Sequence, residues 1–336
     1  MRLSIPRDLY LGLAISLALF AGCQPRGAEV LRRTQFIMGT LVEIALVAED
    51  KQASADAISG AFQEMRRIER LMSRKVEGSD VWRANQGAGK NGVTVSRDLL
   101  SVVQVALEVS HLSGGVFDIT VGSLVSLWDR CWKEDRVPSS QEVAEALRPV
   151  GYQGLEIDVE RRILFLKKEG MELVLGGIAK GYAVDQAFRF LRGLGFVDLI
   201  VNAGGDLRTG GSKFGVPWVV GIQDPRDRSR MTATIEAGDC AVATSGDYER
   251  YFIKDGVRYH HILDPFTGFP ARQSRSVTVL SDELIWADAL ATAVFVLGPE
   301  RGMALVEKVP DAEVLIIDSN GKVTVSSRMR ERIEFQ

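Results

Sequence analysis

Apolar residues between Ala53 and Met72 recur at helical spacing: Ile58, Phe62, Met65 and Ile68 fall on one face, with Arg66, Arg67 and Glu69 outside it. The pattern predicts an amphipathic helix, a second over Leu99 to Leu112, and a third over Val137 to Leu147 around Pro138. Thr34 to Val47 alternates instead, with Val42, Ile44 and Leu46 on one side, and reads as a strand. Further strands are predicted at Ile163 to Leu166, Leu173 to Leu175, Leu199 to Asn202, Val216 to Gln223, Met231 to Ile235, Arg258 to Leu263 and Val277 to Leu280. Helices are predicted from about Ile178 to Leu194 and from Ile285 to Val296, and a hairpin near Val314 to Val325 turns at Asn320-Gly321. Few regular βαβ alternations occur, so the expected class is α+β with mixed or antiparallel sheets and packed helices, not a doubly wound sheet.

The N-terminus breaks this pattern. Arg2 and Arg7 precede an apolar run from Leu9 to Ala21, too short for a comfortable membrane span and typical of an export signal. It ends Phe20-Ala21-Gly22-Cys23, which resembles a bacterial lipobox and implies cleavage before Cys23 and lipidation of its thiol. An ordinary secretory signal cleaved after Ala21 or Gly22 is the alternative. The expected organisation is a signal over 1–22, a tether over 23–33 and one catalytic domain over 34–336, lipid-anchored on the periplasmic side of a bacterial membrane, inner or outer.

Composition adds exclusions. The 336 residues carry a formal net charge of -3, so no basic field draws a nucleic-acid backbone. With Cys23 lipidated, Cys131 and Cys240 remain; no Cys-x-x-Cys suggests zinc or a redox pair, and a single disulfide stays open.

Candidate chemistry lies where apolar segments empty into glycines. Leu175-Gly176-Gly177-Ile178-Ala179-Lys180-Gly181 joins a strand to a helix start, where free N–H groups favour an anion; Lys180 opposes the helix dipole there unless a phosphate lies close. A tight strand-helix turn is the alternative. Asn202-Ala203-Gly204-Gly205-Asp206 is a ligand edge or a plain turn. His260 and His261, two of only three histidines, alternate across a strand, so one can face a cleft and accept a hydroxyl proton; an ordinary surface histidine is the alternative. Asp288 and Thr292, four apart on an apolar helix, share a face and need a partner such as an oxygen-seeking cation, unless Asp288 caps or faces solvent and Thr292 bonds back to its own turn.

Taken in order, these segments together with Met38-Gly39-Thr40, Phe117-Asp118-Ile119-Thr120-Val121-Gly122, Leu127-Trp128, Thr244-Ser245-Gly246 and His261 through Gly268 resemble the ApbE family of FAD:protein FMN transferases, over nearly the whole mature chain. The resemblance implies a T-fold-related architecture and a bound FAD, the FMN donor, whose pyrophosphate is bridged by Mg2+. The metal ligands would be Asp288, Thr292 and the Gly177 carbonyl. Met38, Val116, Phe117, Asp118, Lys180 and Leu263 would line the FAD. His261 would be the base that helps a threonine or serine hydroxyl of a target protein attack the FMN phosphorus, with AMP leaving. The implied partner is a periplasmic or membrane electron-transfer protein; this chain lacks an evident Ser-Gly-Ala-Thr acceptor sequence and reads as modifier, not target. Val174 stands where the family usually has aspartate, and Lys75 near where relatives carry tyrosine or asparagine. FAD pyrophosphatase activity, giving FMN and AMP, and a catalytically impaired flavin-binding lipoprotein are the competing readings.

Overall fold

Two residues with left-handed backbone, Met38 at φ 53° and Gly39 at φ 76°, divide the first alternating segment into a hairpin. In the computed structural model, which describes residues 27–336, β1 (Glu29–Ile37) and β2 (Thr40–Ala48) pair antiparallel across that turn. Then follow α1 (Lys51–Met72), α2 (Asp80–Gln86), β3 (Val93–Thr94), α3 (Arg97–Leu112), α4 (Gly122–Lys133), α5 (Ser140–Leu147), β4 (Leu155–Asp158), β5 (Ile163–Leu166) and α6 (Ala179–Gly193). The second half contains β6 (Leu199–Ala203), β7 (Asp206–Gly210), β8 (Ser212–Lys213), β9 (Val216–Gln223), β10 (Met231–Ala237), β11 (Cys240–Gly246), β12 (Tyr251–Lys254), β13 (Val257–His260) and β14 (Ser274–Ser281). The chain continues through α7 (Leu284–Leu297), α8 (Pro299–Val306), β15 (Glu313–Asp318), β16 (Val323–Val325) and β17 (Ile333–Phe335).

An eight-stranded antiparallel sheet, ordered β1-β2-β6-β7-β11-β14-β15-β16, forms the centre. Alternation decides its two faces. Val42, Ile44, Leu46, Val201, Val277 and Val279 join the helices in the larger core, while Leu207, Val242, Leu280 and Leu315 pack against a second sheet, β17-β10-β9-β8. The class is α+β, as the pattern predicts.

Helix α7 is apolar nearly all round and largely buried, with Leu290, Val294 and Phe295 fully buried and Thr292 reaching a cleft; Asp288 is its one ionisable side chain. Its first N–H groups lack a cap from their own strand-helix junction. Asp185 of α6 supplies one, accepting from Leu284 N–H at 3.0 Å and Ile285 N–H at 2.9 Å, and from Arg208 at 2.6 Å. The same two helices touch at Gly181, where an added Cβ would stand 2.5 Å from the Leu284 carbonyl oxygen. Gly181→Ala should therefore lower stability by about 2 kcal/mol despite alanine's better helix propensity, read as a lower urea midpoint.

Several expectations change. Residues 29–33, within the stretch read as tether, belong to the first hairpin and pair with 44–48. Leu173 to Leu175 is a connector rather than a strand, with Leu173 and Leu175 buried; Leu173 N–H donates to Asn85 Oδ1 at 2.7 Å and Val174 N–H to the Ile119 carbonyl at 2.8 Å. The third helix begins later, after Ser139 and Glu142 form a capping box, and the strand read to Leu263 stops at His260. The signal segment and Cys23 lie outside the described residues. Among the described residues no helix is long and apolar enough to cross a membrane.

Candidate functional site

Turns at one end of the central sheet meet the start of α6 and the side of α7 around a cleft of about 580 Å³. Met38 and Thr40 come from the β1–β2 turn, Val116, Phe117 and Asp118 from the loop before α4, and Gly177 and Lys180 from the strandless corner opening α6. Gly204, Gly205 and Asp206 enter from the β6–β7 turn, Ser245 from the end of β11, His261 and Leu263 from the segment after β13, and Asp288 and Thr292 from α7. Every residue singled out for cofactor, metal or proton transfer thus lines one cavity.

The centre of the cleft is electrostatically unfinished. Asp288, buried, accepts one side-chain hydrogen bond, from Gly181 N–H to Oδ2 at 3.0 Å. Asp206, also buried, accepts from Thr244 N–H at 2.9 Å and pairs with the Lys180 ammonium. Burial foremost, and then the neighbouring Asp206 charge, hold the Asp288 carboxyl well above the ordinary carboxylate range, against the pull of Lys180 and Gly181 N–H. Burial works against the Lys180 charge, but Asp206 and Asp288 outweigh it and raise its pKa. Two carboxylates therefore face one ammonium, a balance that an added cation improves.

The oxygens present suit a hard cation. Gly177 approaches so close to Thr292 that a Cβ on it would stand 3.0 Å from Thr292 Oγ1, whose protein partner is Ser245 Oγ at a long 3.4 Å. A carboxylate, a hydroxyl and a nearby backbone carbonyl form the oxygen donor set that magnesium favours, with places left for phosphate or water. Among the described residues no three His, Cys, Asp or Glu side chains cluster as a metal centre, so such a site would rely on one carboxylate plus neutral oxygens.

The two histidines divide their work. His260 is buried: its Nε2 faces the Ala271 carbonyl at 2.8 Å, Nδ1 accepts from Ile262 N–H at 3.3 Å, and the ring lies edge-on to Phe295. His261 is open to the cleft, with Nδ1 3.3 Å from the Arg250 carbonyl. A carbonyl only accepts, so Nδ1 carries the proton and Nε2 keeps its lone pair. Desolvation by the cleft walls, then repulsion from Arg250, pushes the His261 pKa down to about 4, leaving a neutral imidazole at pH 7.

Some predicted residues have other duties. The Asp118 carboxylate, on the cleft wall, also accepts from Thr120 N–H at 2.7 Å, Thr120 Oγ1 at 2.6 Å and Tyr152 N–H at 2.8 Å, which fixes the loop bearing Val116 and Phe117. Val174 does line the cleft, whereas Lys75 lines a shallower neighbouring pocket with Arg74 and Trp82 that meets the cleft at Asp129. Trp128, Phe252 and Tyr259 form an aromatic stack along one wall, with Trp128 and Tyr259 centroids 5.7 Å apart. The sequence alone does not show that Asp206 pairs with a lysine or that Asp185 caps a helix; a carboxylate following two glycines is the one local signal, for Asp206. Cys131 and Cys240 are buried free thiols.

The ApbE family model matches residues 38–316. A protein of Vibrio cholerae named FAD:protein FMN transferase is 35% identical over 325 residues, covering 94% of this chain and 96% of that relative. One of Treponema pallidum with the same name is 33% identical over 319 residues, covering 90% and 88% respectively. Among solved structures, the ApbE protein of Thermotoga maritima is similar at a TM-score of 0.84 and 37% identity, covering 90% of this chain and 99% of that one. The flavin transferase ApbE from Vibrio cholerae superposes at a TM-score of 0.80, covering 91% and 99%.

Proposed function

The chain belongs to the ApbE family, and from that premise we propose that it is an FAD:protein FMN transferase, moving FMN from FAD to a threonine or serine hydroxyl of another protein and releasing AMP in a magnesium-dependent reaction. One observation carries the reading: the Gly177, Asp288 and Thr292 oxygens share a cleft with Lys180 and a neutral His261.

The Gly177 carbonyl, Asp288 and Thr292 would hold the ion, which when bound supplies charge neutralisation to the diphosphate. His261 Nε2 takes the proton of the acceptor hydroxyl as its oxygen bonds to the FMN-side phosphorus. The bond from that phosphorus to the bridging oxygen breaks, and AMP departs with the electron pair. Lys180, kept charged by its two carboxylate neighbours, faces the phosphates and offsets the charge that develops there. Met38, Val116, Phe117 and Leu263 supply apolar wall for the rings of the donor.

The deciding experiment combines the protein with FAD, Mg2+ and a folded acceptor carrying Ser-Gly-Ala-Thr, and follows AMP together with the acceptor's mass. Stoichiometric AMP and FMN-bearing acceptor support transfer. Rapid AMP release independent of acceptor replaces it with FAD pyrophosphatase activity, and bound FAD without AMP replaces it with a flavin-binding protein.

His261 gives a pH signature. Its imidazole is protonated below about 4 in the free protein, so with Mg2+ saturating, which keeps Asp288 ionised, kcat/KM should hold from neutral pH down to about 5 and then fall. Phosphates brought beside it raise its pKa, so the acid limb of kcat should lie at higher pH than that of kcat/KM. Coincident limbs would remove His261 from the role.

We also propose that the exported protein is held by a lipid on Cys23 at the periplasmic side of the membrane, where its acceptor is an electron-transfer protein. Support comes from the signal-like segment and the cysteine ending it. Cys23→Ala should move the protein from the membrane fraction to the soluble one.

A further inference from the structure

Helix α1 contributes no side chain to the cleft wall, yet it reaches that wall through one hydrogen bond. Met38 N–H donates to Glu69 Oε1 at 2.8 Å, across 31 residues of sequence. Met38 lines the cleft with its backbone left-handed, φ 53°, a conformation that a side chain with a Cβ disfavours. Gly39 beside it, φ 76°, adopts the same region without penalty, and together they form the two-residue turn of β1–β2. The turn is gripped from two sides. On one, Gly204 N–H donates to the Leu41 carbonyl at 3.0 Å and Gly204 lies against Thr40. On the other, α1 holds it through Glu69, with Arg66 donating to Gln35 Oε1 at 2.8 Å on the adjoining strand.

We propose that Glu69 is a positioning residue for the nucleotide donor: its carboxylate fixes the Met38 N–H, keeps the turn left-handed and so holds the Met38 side chain on the wall where FAD binds. The inference rests on the reading of the cleft as an FAD site. A charged acceptor makes a stronger bond to an N–H than a neutral one, and this N–H has no other partner in the hairpin. Without it, Met38 is free to leave the disfavoured region and turn away. The long β1–β2 ladder, paired from Glu29 with Ala48 to Ile37 with Thr40, keeps the hairpin itself in register.

Titration of FAD into the full-length protein, followed by quenching of tryptophan emission, tests this. Glu69→Ala should raise the FAD Kd about tenfold and KM likewise, with kcat at saturating FAD within about twofold. Glu69→Gln keeps an acceptor oxygen and should stay within about threefold. Met38→Ala should raise Kd too, and adding Glu69→Ala to it should change little further, because both act through one side chain. Should Glu69→Ala not fold, Glu69→Gln is compared with Glu69→Met, which fills the same space without an acceptor. Wild-type affinity in the variants lacking the acceptor, or multiplying losses in the double variant, would overturn the inference. A wild-type protein that binds no FAD sinks the functional reading itself, a distinguishable result.

Discussion

Asp288→Asn is expected to reduce FMN transfer on the order of 10³-fold and to leave the fold intact, since the lost ion is asked for several kcal/mol of stabilisation at about 1.4 kcal/mol per factor of ten. Asparagine retains an oxygen to accept the Gly181 N–H but loses the charge that binds a divalent ion. It also ends the burial of a carboxylate beside Asp206, so the unfolding midpoint without divalent metal should equal or exceed that of the wild type. Adding Mg2+ separates the two proteins further. The wild type should gain up to about 2.7 kcal/mol at a hundredfold excess over Kd, and the variant almost nothing. Asp288→Ala should abolish transfer as well, with a small loss of stability from the orphaned Gly181 N–H. Transfer within tenfold of wild type by either variant would reject the metal assignment, whatever the stability data show.

The second large effect concerns a residue outside the cleft. Asp185→Ala should lower unfolding free energy by about 3–4 kcal/mol, measured by urea denaturation. The substitution leaves the Leu284 and Ile285 N–H groups without an acceptor inside the larger core and leaves Arg208 without its carboxylate. Asp185→Asn should lose less, because an amide oxygen still caps one N–H. A stability change below about 1 kcal/mol for alanine would show that the α6–α7 junction is held by apolar packing alone. Catalysis should weaken with it, since Asp288 stands one turn beyond the capped end.

These two residues mark what is legible in the chain. Asp288 and Thr292 announce themselves, because a carboxylate and a hydroxyl at helical spacing have no obvious partner among Ile285, Leu290 and Val294. Long periodic segments such as α1 and α7 read true for the same reason, since many side chains vote for one face. The hairpin turn at Met38 escapes, because a methionine in the left-handed region leaves no composition signal of the Asn-Gly kind. Leu173 to Leu175 misleads because burial, not pairing, demands its apolar side chains. The roles of Asp185 and Glu69 are not legible in sequence because the N–H groups they accept from stand about a hundred and about thirty residues away, distances that no local pattern encodes. The order of glycine corners located the cleft; the charge balance among Lys180, Asp206 and Asp288 became visible only with all three in place.

The cleft draws one wall from Met38 in the first hairpin and another from Thr292 in a helix near the far end of the chain. A partly folded polypeptide therefore owns no half-site: until α7 has entered the core, Lys180 and His261 face no completed pocket. Proteolytic nicking or truncation before β14 should thus yield fragments with no residual nucleotide affinity, rather than a weakened binder.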